Sequence, residues 1–236
     1  CTDKTGTLTE DRIVLEKYLD INGHEEPRIL KHAFLNAYFQ TGLKGNIDEA
    51  IIKRALENGM KEVAERYKKI DEIPFDFSRR RLSVVVTDGT KKQLITKGAV
   101  EEILNICTMV DYKGQVSPIT KQIKENIEKI SRKLNEDGLR VVAICQKNDI
   151  EKIENFNLSD EKNMVLLGFI GFLDPPKESA KESISKLNNA GIRVVVLTGD
   201  NAEVTRCVCN KVGIKSNNII LGSKIDKLSD MALLRL

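Results

Sequence analysis

Two patterns of apolar and polar positions divide the chain, with the change near residue 164. In the first part, Ile13-Val14-Leu15 and Tyr18-Leu19 are strand-like stretches. Residues 29–43 then put Leu30, Ala33, Phe34, Ala37 and Tyr38 on one stripe, which predicts a helix broken by Gly42 and Gly45. A second helix is predicted from Ile47 to Asn58, with Ile47, Ile51, Ala55 and Leu56 on one side and Gly59 as its stop. Leu82–Val86 and Gln93–Thr96 read as paired strands around a two-residue Asp88-Gly89 hairpin. A helix follows Lys97-Gly98-Ala99 through Glu101, Leu104 and Cys107. In residues 119–135, Ile119, Ile123, Ile127, Ile130 and Leu134 recur at three and four, the stripe of a core-facing helix. Leu139–Cys145 reads as a buried strand, and the polar residues 147–162 as a solvated loop.

From Met164 onward, strands and helices alternate. Val165–Phe172 is an apolar strand, Asp174-Pro175-Pro176-Lys177 a rigid turn, and Glu178–Asn189 a helix with Ala180, Ile184 and Leu187 inward. Ile192–Leu197 is nearly all apolar, as buried parallel strands are. A helix carrying Val204, Val208 and Val212 follows, then a short strand at Ile219–Leu221. This order predicts parallel pairing in a doubly wound sheet. Residues 1–15 and 164–236 then make one α/β domain, and residues 16–163 an α+β insertion. Ligands of open parallel sheets gather beyond the carboxyl ends of the strands, where Asp3 and Thr198 would meet.

Composition narrows the field. A chain of 236 residues can bury a sizeable core. Charged residues make up 31% but the net charge is only +3, which argues against dedicated nucleic-acid binding while leaving room for a local anion pocket. No apolar run reaches the roughly 18 residues of a membrane span. Cys1 stands where a start Met would, and no signal peptide is visible, so an excised segment is expected. The five cysteines are scattered, and Cys207 and Cys209 have no Cys/His cluster beside them, so reduced thiols in a cytosolic setting are expected. His24 and His32 read as surface or helix histidines.

The densest chemistry lies in Cys1-Thr2-Asp3-Lys4-Thr5-Gly6-Thr7-Leu8-Thr9. A carboxylate can attack phosphorus and become an aspartyl phosphate. The transferred group then needs charge and donors around its oxygens. Lys4 offers charge, Thr5 and Thr7 offer hydroxyls, and Gly6 lets the backbone come close. Thr198-Gly199-Asp200-Asn201 sits between a strand and a helix, where anions are favoured. Thr198 is the candidate for gripping a phosphoryl group; the alternative is an ordinary helix cap by Asp200 or Asn201. Phe77-Ser78-Arg79-Arg80-Arg81 can stack a base and bind phosphates, or can be a hairpin with a core Phe and a solvated basic face. Lys97-Gly98-Ala99 sets a cation beside a small residue where a base could lie flat.

Asp3 to Thr9 resembles the phosphorylation signature of the P-type ATPases. Thr198-Gly199-Asp200 resembles that family's Thr-Gly-Asp segment, and Asp174-Pro175-Pro176-Lys177 its Asp-Pro-Pro-Arg hinge with Lys in place of Arg. The resemblance implies a haloacid dehalogenase-like, Rossmann-like parallel sheet, truncated here, with an inserted α+β nucleotide-binding domain built on an antiparallel sheet. It implies that ATP phosphorylates Asp3 and that Lys4, Thr5, Thr198, Gly199 and Asp200 surround the phosphoryl group. Phe77 would stack adenine, Arg79, Lys97, Gly98 and Asp174 would serve nucleotide binding, and Arg140 would lie near the phosphates. Asp48 would lie near the base, although the family commonly has Glu there and Glu49 is adjacent. Mg2+ would take Asp3, the Thr5 carbonyl and phosphate oxygens. Related phosphatases carry a second Asp where Thr5 stands, so a phospho-Asp3 is expected to persist.

Leu35–Lys44, Asp71–Phe77 and Gly222–Asp230 resemble most the bacterial magnesium-transporting pumps, with a calcium-type pump as the alternative. The implied partners are ATP and the pump's own actuator domain and transmembrane helices, with this segment facing the cytoplasm. A soluble phosphatase of the same fold would need an acid at position 5, and a regulatory nucleotide-binding module would need no chemistry at Asp3.

Overall fold

The structure is a computed structural model, and it describes residues 1–42, 44–148, 150, 155–216 and 218–233. Two units emerge. One comprises Arg12–Leu134 and Leu139–Leu173, the other Cys1–Asp11, Asn135–Gly138 and Asp174–Leu236. The chain opens in the smaller unit with the two-residue strand β1 (Thr2–Asp3).

The larger unit contains β2 (Val14–Asp20), α1 (Pro27–Phe39), α2 (Asn46–Glu57), α3 (Lys61–Arg66), β3 (Lys68–Asp76), β4 (Arg81–Thr87), β5 (Lys92–Gly98) and α4 (Val100–Ile106). It continues with β6 (Cys107–Tyr112), β7 (Gln115–Pro118), most of α5 (Lys121–Glu136), β8 (Arg140–Asn148), a 3-10 turn at Leu158–Asp160, and β9 (Met164–Leu173). Its sheet runs β3-β4-β5-β8-β9-β6-β7, with β2 also on β9. Every ladder is antiparallel except β6–β9.

Alternation along β4 and β5 sends side chains to both faces, and both faces are covered. Val84, Val86 and Ile95 pack with Leu30, Phe34 and Ile51 from α1 and α2. Val85 and Leu94 pack on the other face with Ile103 and Ile127 from α4 and α5. Burial on both sides explains why Val84-Val85-Val86 shows no polar alternation. Proline at its first turn and the Glu26 carboxylate, which accepts the Arg28 N–H, start α1. Gly168 sits where β2 crosses β9; a Cβ there would lie 2.0 Å from the Leu19 carbonyl oxygen.

Several expectations change. The first helix ends at Phe39, Tyr38 is exposed, and Leu43 lies outside the described residues. The Asp88-Gly89 hairpin is a four-residue loop, because Thr87 pairs with Lys92 and the Asp88 carboxylate accepts the Thr90 and Lys91 N–H groups. Residues 149 and 151–154 of the expected polar loop lie outside the described residues; Glu161 in the same stretch is buried, not solvated. His32 is buried on α1. Met164–Leu173 does not open a parallel sheet. It pairs antiparallel with β8 and β2, so this apolar run is buried inside the larger unit's sheet.

The smaller unit adds α6 (Glu178–Asn189), β10 (Val196–Leu197), α7 (Ala202–Val212), α8 (Gly222–Ile225) and α9 (Asp230–Leu233). The strand β10 pairs parallel with β1, Thr2 opposite Val196 and Asp3 opposite Leu197. Leu8, Ala180, Ile184 and Val212 form its core. Gly213, left-handed at φ 86°, stops α7. Among the described residues, the expected doubly wound sheet is reduced to this one ladder, and Ile219–Leu221 is not a strand. The expected strand Ile192–Leu197 shrinks to Val196–Leu197, and both Ile192 and Leu197 are exposed. No helix among the described residues is long and apolar enough to cross a membrane.

Candidate active site

In the smaller unit, the parallel ladder brings the first motif to the Thr-Gly-Asp segment. Asp3 is level with Leu197, and the Thr2 N–H donates to the Val195 carbonyl at 2.9 Å, so Thr198 follows directly at the same end. Asp3 is exposed, and its Oδ1 accepts the Lys4 N–H at 2.7 Å. Lys4 points the other way. Only 2% of it is exposed, and its Nζ lies 2.8 Å from Asp200 Oδ2 and 3.4 Å from Asp174 Oδ2. The Thr9 hydroxyl donates to that Asp174 oxygen at 2.6 Å. Asp174 Oδ1 is buried without a hydrogen-bond partner. Lys177 closes the motif loop by donating to the Gly6 carbonyl at 2.6 Å, and Gly6 turns the loop at φ 74°.

The helix-cap alternative for the Thr-Gly-Asp segment is resolved residue by residue. Asn201 caps α7, accepting the Glu203 N–H at 2.8 Å. Asp200 instead faces Lys4, and the Thr198 hydroxyl accepts the Asp200 N–H at 3.2 Å. Thr5 and Gly199 are exposed. The arrangement is an exposed carboxylate whose neighbour in the chain, Lys4, turns a buried ammonium toward two further carboxylates.

The remaining predicted residues lie in the larger unit. Lys97, at the end of β5, is buried and donates to the Asp48 carboxylate and to Gln40 Oε1, the latter at 3.2 Å. Gln40 in turn donates to Asp48 Oδ2 at 2.7 Å. Burial lowers the Lys97 pKa, and the Asp48 charge opposes that effect. A Cβ on Gly98 would lie 2.5 Å from Arg81 Cβ and 2.7 Å from the Arg80 carbonyl oxygen, so only glycine fits against β4 there. Phe77 is 90% exposed and meets Phe75 edge-on with ring centroids 5.3 Å apart. It is therefore not a core residue. Nor is the basic string a solvated face. Arg79 donates to Glu161 at 2.9 Å and to the Pro74 carbonyl at 2.8 Å, and Arg81 donates to Glu161 at 2.7 Å. Arg80 is more exposed and pairs with Glu102 at 2.8 Å. Arg140 is exposed at the start of β8, opposite Phe172.

Asp174 thus stands with Lys4 and Thr9, while Asp48, Lys97, Gly98, Phe77 and Arg79 belong to the larger unit. Sequence reasoning did not single out Thr9, Gln40 or Glu161, which contact Asp174, Lys97 and Arg79 respectively. Nothing in the local pattern marks Glu161, whose partners are about eighty residues away in the chain.

Residues 36–179 match the family model described as "P-type ATPase, cytoplasmic domain N", more than half of the chain. The chain belongs to the P-type ATPases. Within this family, the "Magnesium-transporting ATPase, P-type 1" of Escherichia coli K12 is 44% identical over 237 residues, covering 100% of this chain and 26% of that protein. The protein of the same name in Salmonella typhimurium LT2 is 44% identical over 234 residues, covering 99% and 26%. "Calcium-transporting ATPase 1" of Bacillus cereus is 28% identical over 259 residues, covering 99% and 28%. This P-type ATPase chain spans about a quarter of the length of the curated relatives it matches.

Proposed function

We propose that this chain is the nucleotide-binding and phosphorylated region of a cation pump. ATP held on the larger unit donates its γ-phosphoryl group to Asp3. A carboxylate oxygen of Asp3 forms the new bond to phosphorus, the bond from phosphorus to the bridging oxygen breaks, and ADP leaves with that oxygen. The observation that carries this reading is the exposed Asp3 carboxylate, aligned with the Thr198 segment and next to Lys4 held by Asp174 and Asp200. The Lys4 ammonium is engaged by Asp174 and Asp200, so its part is to fix the motif loop that presents Asp3 rather than to touch the transferring group. Thr198 supplies a hydroxyl at the same strand end. Thr5 cannot act as an acid–base, so the phospho-Asp3 outlives its formation and can drive a mechanical step.

A haloacid dehalogenase-like sheet around β1 and β10 belongs to the same proposal. So do the assignments of Phe77, Lys97, Gly98, Arg79, Arg140 and Asp48 to the nucleotide. Among the described residues no cluster of three or more His, Cys, Asp or Glu is arranged for a metal. Asp3 and the Thr5 carbonyl fit Mg2+ only as an ion shared with phosphate oxygens and water, a usual mode for this ion. When bound, it would neutralise phosphate charge. The transported cation is proposed as Mg2+ on the strength of the relatives' names, with membrane helices and an actuator domain as partners and the cytoplasm as the side this segment faces.

The test uses the intact pump. After exposure to ATP labelled on the γ-phosphate, an acid-stable, hydroxylamine-sensitive label is expected on Asp3, and none on an Asp3→Asn variant. Full labelling of that variant, or transport surviving it, would overturn the reading.

A further inference from the structure

We propose that Glu161 is the positioning residue of the nucleotide site, holding the Phe77 hairpin and the end of β5 in one rigid arrangement. The inference rests on the nucleotide-binding role given above to Phe77 and Lys97. Glu161 lies outside both, in the segment just before β9, and its side chain is 0% exposed. A carboxylate so buried needs its charge and lone pairs satisfied. Arg79 Nη1 donates to Oε2 at 2.9 Å, Arg81 Nε donates to the same oxygen at 2.7 Å, and the Ser83 hydroxyl donates to Oε1 at 2.6 Å. Ser83 gives its one proton to Glu161, so at the 2.7 Å contact between the two hydroxyls it is Thr96 that donates.

The chain positions of these donors give the network its consequence. Arg79 is two residues from Phe77, Thr96 is one residue from Lys97, and Arg81 is the residue packed against Gly98. Ser83 and Thr96 lie on the sheet face opposite Lys97, because successive strand residues alternate. Glu161 therefore holds the site from behind, while Asp48 and Gln40 hold Lys97 from the front. The hairpin has a local tie as well. Asp76 accepts the Ser78 and Arg79 N–H groups at 2.9 and 3.0 Å. That tie shapes the turn, but nothing in it reaches β5. Two guanidiniums spent on one carboxylate also make Arg79 a support of the Phe77 hairpin, in addition to any contact it makes with ATP.

The experiment compares the full chain with Glu161→Gln, Phe77→Ala and the double variant. ATP binding is measured by calorimetry, and amide exchange is followed across residues 77–81. Glu161→Gln should weaken ATP binding roughly tenfold, the scale of one lost charge-assisted contact. It should speed exchange in 77–81 while leaving α1 protected. In the Phe77→Ala background it should add clearly less than in the parent, because one of the groups it positions is already gone while Lys97 remains. A generally destabilising change would instead add its full effect in both backgrounds, and that result, or unchanged exchange in 77–81, overturns the proposal. If the parent chain binds no ATP, the nucleotide reading fails, and the exchange arm still decides whether Glu161 holds the hairpin. If Glu161→Gln does not fold, Arg81→Gln removes one donor from the same carboxylate and should give a smaller change in the same direction.

Discussion

His32 shows how burial rewrites one residue. Its ring is buried on α1, and Nδ1 lies 2.7 Å from the Arg28 carbonyl oxygen. Desolvation is the main cause that lowers its pKa from 6.5 to about 4, with the Arg28 and Lys31 cations adding to it. Between those values the unfolded chain binds a proton that the folded chain refuses. The contribution to stability is therefore fully present above about pH 6.5 and shrinks as pH falls toward 4. Its whole span is of the order of 3 kcal/mol. A His32→Gln variant should lose part of the acid sensitivity, read as a smaller drop in urea midpoint between pH 7.5 and 5. An identical drop in both proteins would show that other groups carry the acid response. The sequence could not reveal this. His32 follows Lys31 on a helix whose predicted apolar stripe does not include it, and only the folded structure buries it.

At the scale of elements, α2 and β5 meet through one charge pair. Asp48 lies in the first turn of α2, which favours a carboxylate, and it faces the Lys97 ammonium and the Gln40 amide. Removing one charge of a buried pair costs more than the pair is worth, since the other is left alone. Asp48→Asn should therefore destabilise the larger unit by about 3 kcal/mol. Asp48→Asn combined with Lys97→Met should recover most of that loss, yet ATP binding should stay impaired. Recovery of both would mean that the pair serves stability alone. Gly98 offers a second test of the same junction. The crowding from Arg81 and the Arg80 carbonyl should make Gly98→Ala cost about 1–3 kcal/mol in a denaturant melt, because the obstruction is partly backbone.

For the whole molecule, local periodicity exposed most helices and the β4–β5 hairpin, because amphipathic stripes and a flanking turn are written in consecutive residues. The phosphorylation motif was legible for the same reason. Partners set by distant pairing were not. Met164–Leu173 is apolar whichever sheet it joins, and only its ladders with β8, β2 and β6 place it in the larger unit. Glu161 likewise acquires its meaning from Arg79, Arg81 and Ser83. The two units also differ in how they are held together. Among its described residues the smaller one buries only seven apolar side chains, four of them in one cluster, and Ile192 and Leu197 are 52% and 60% exposed. Much of its order therefore falls to polar contacts around Lys4, Asp174 and Asp200. The larger one buries two extensive apolar clusters on both faces of its sheet. Each fully buried aliphatic side chain contributes on the order of 1.5–3 kcal/mol, so the smaller unit should open first. Native-state hydrogen exchange on the whole chain should give α6 and α7 amides opening free energies at least about 2 kcal/mol below those of β4, β5 and β8. Lys4→Met should widen that gap by loosening α7 and leaving β5 untouched, since it strands Asp174 and Asp200 without a cation. Equal protection of α7 and β5, or a Lys4 effect spread evenly over both, would contradict the assignment of the smaller unit's stability to that ion cluster.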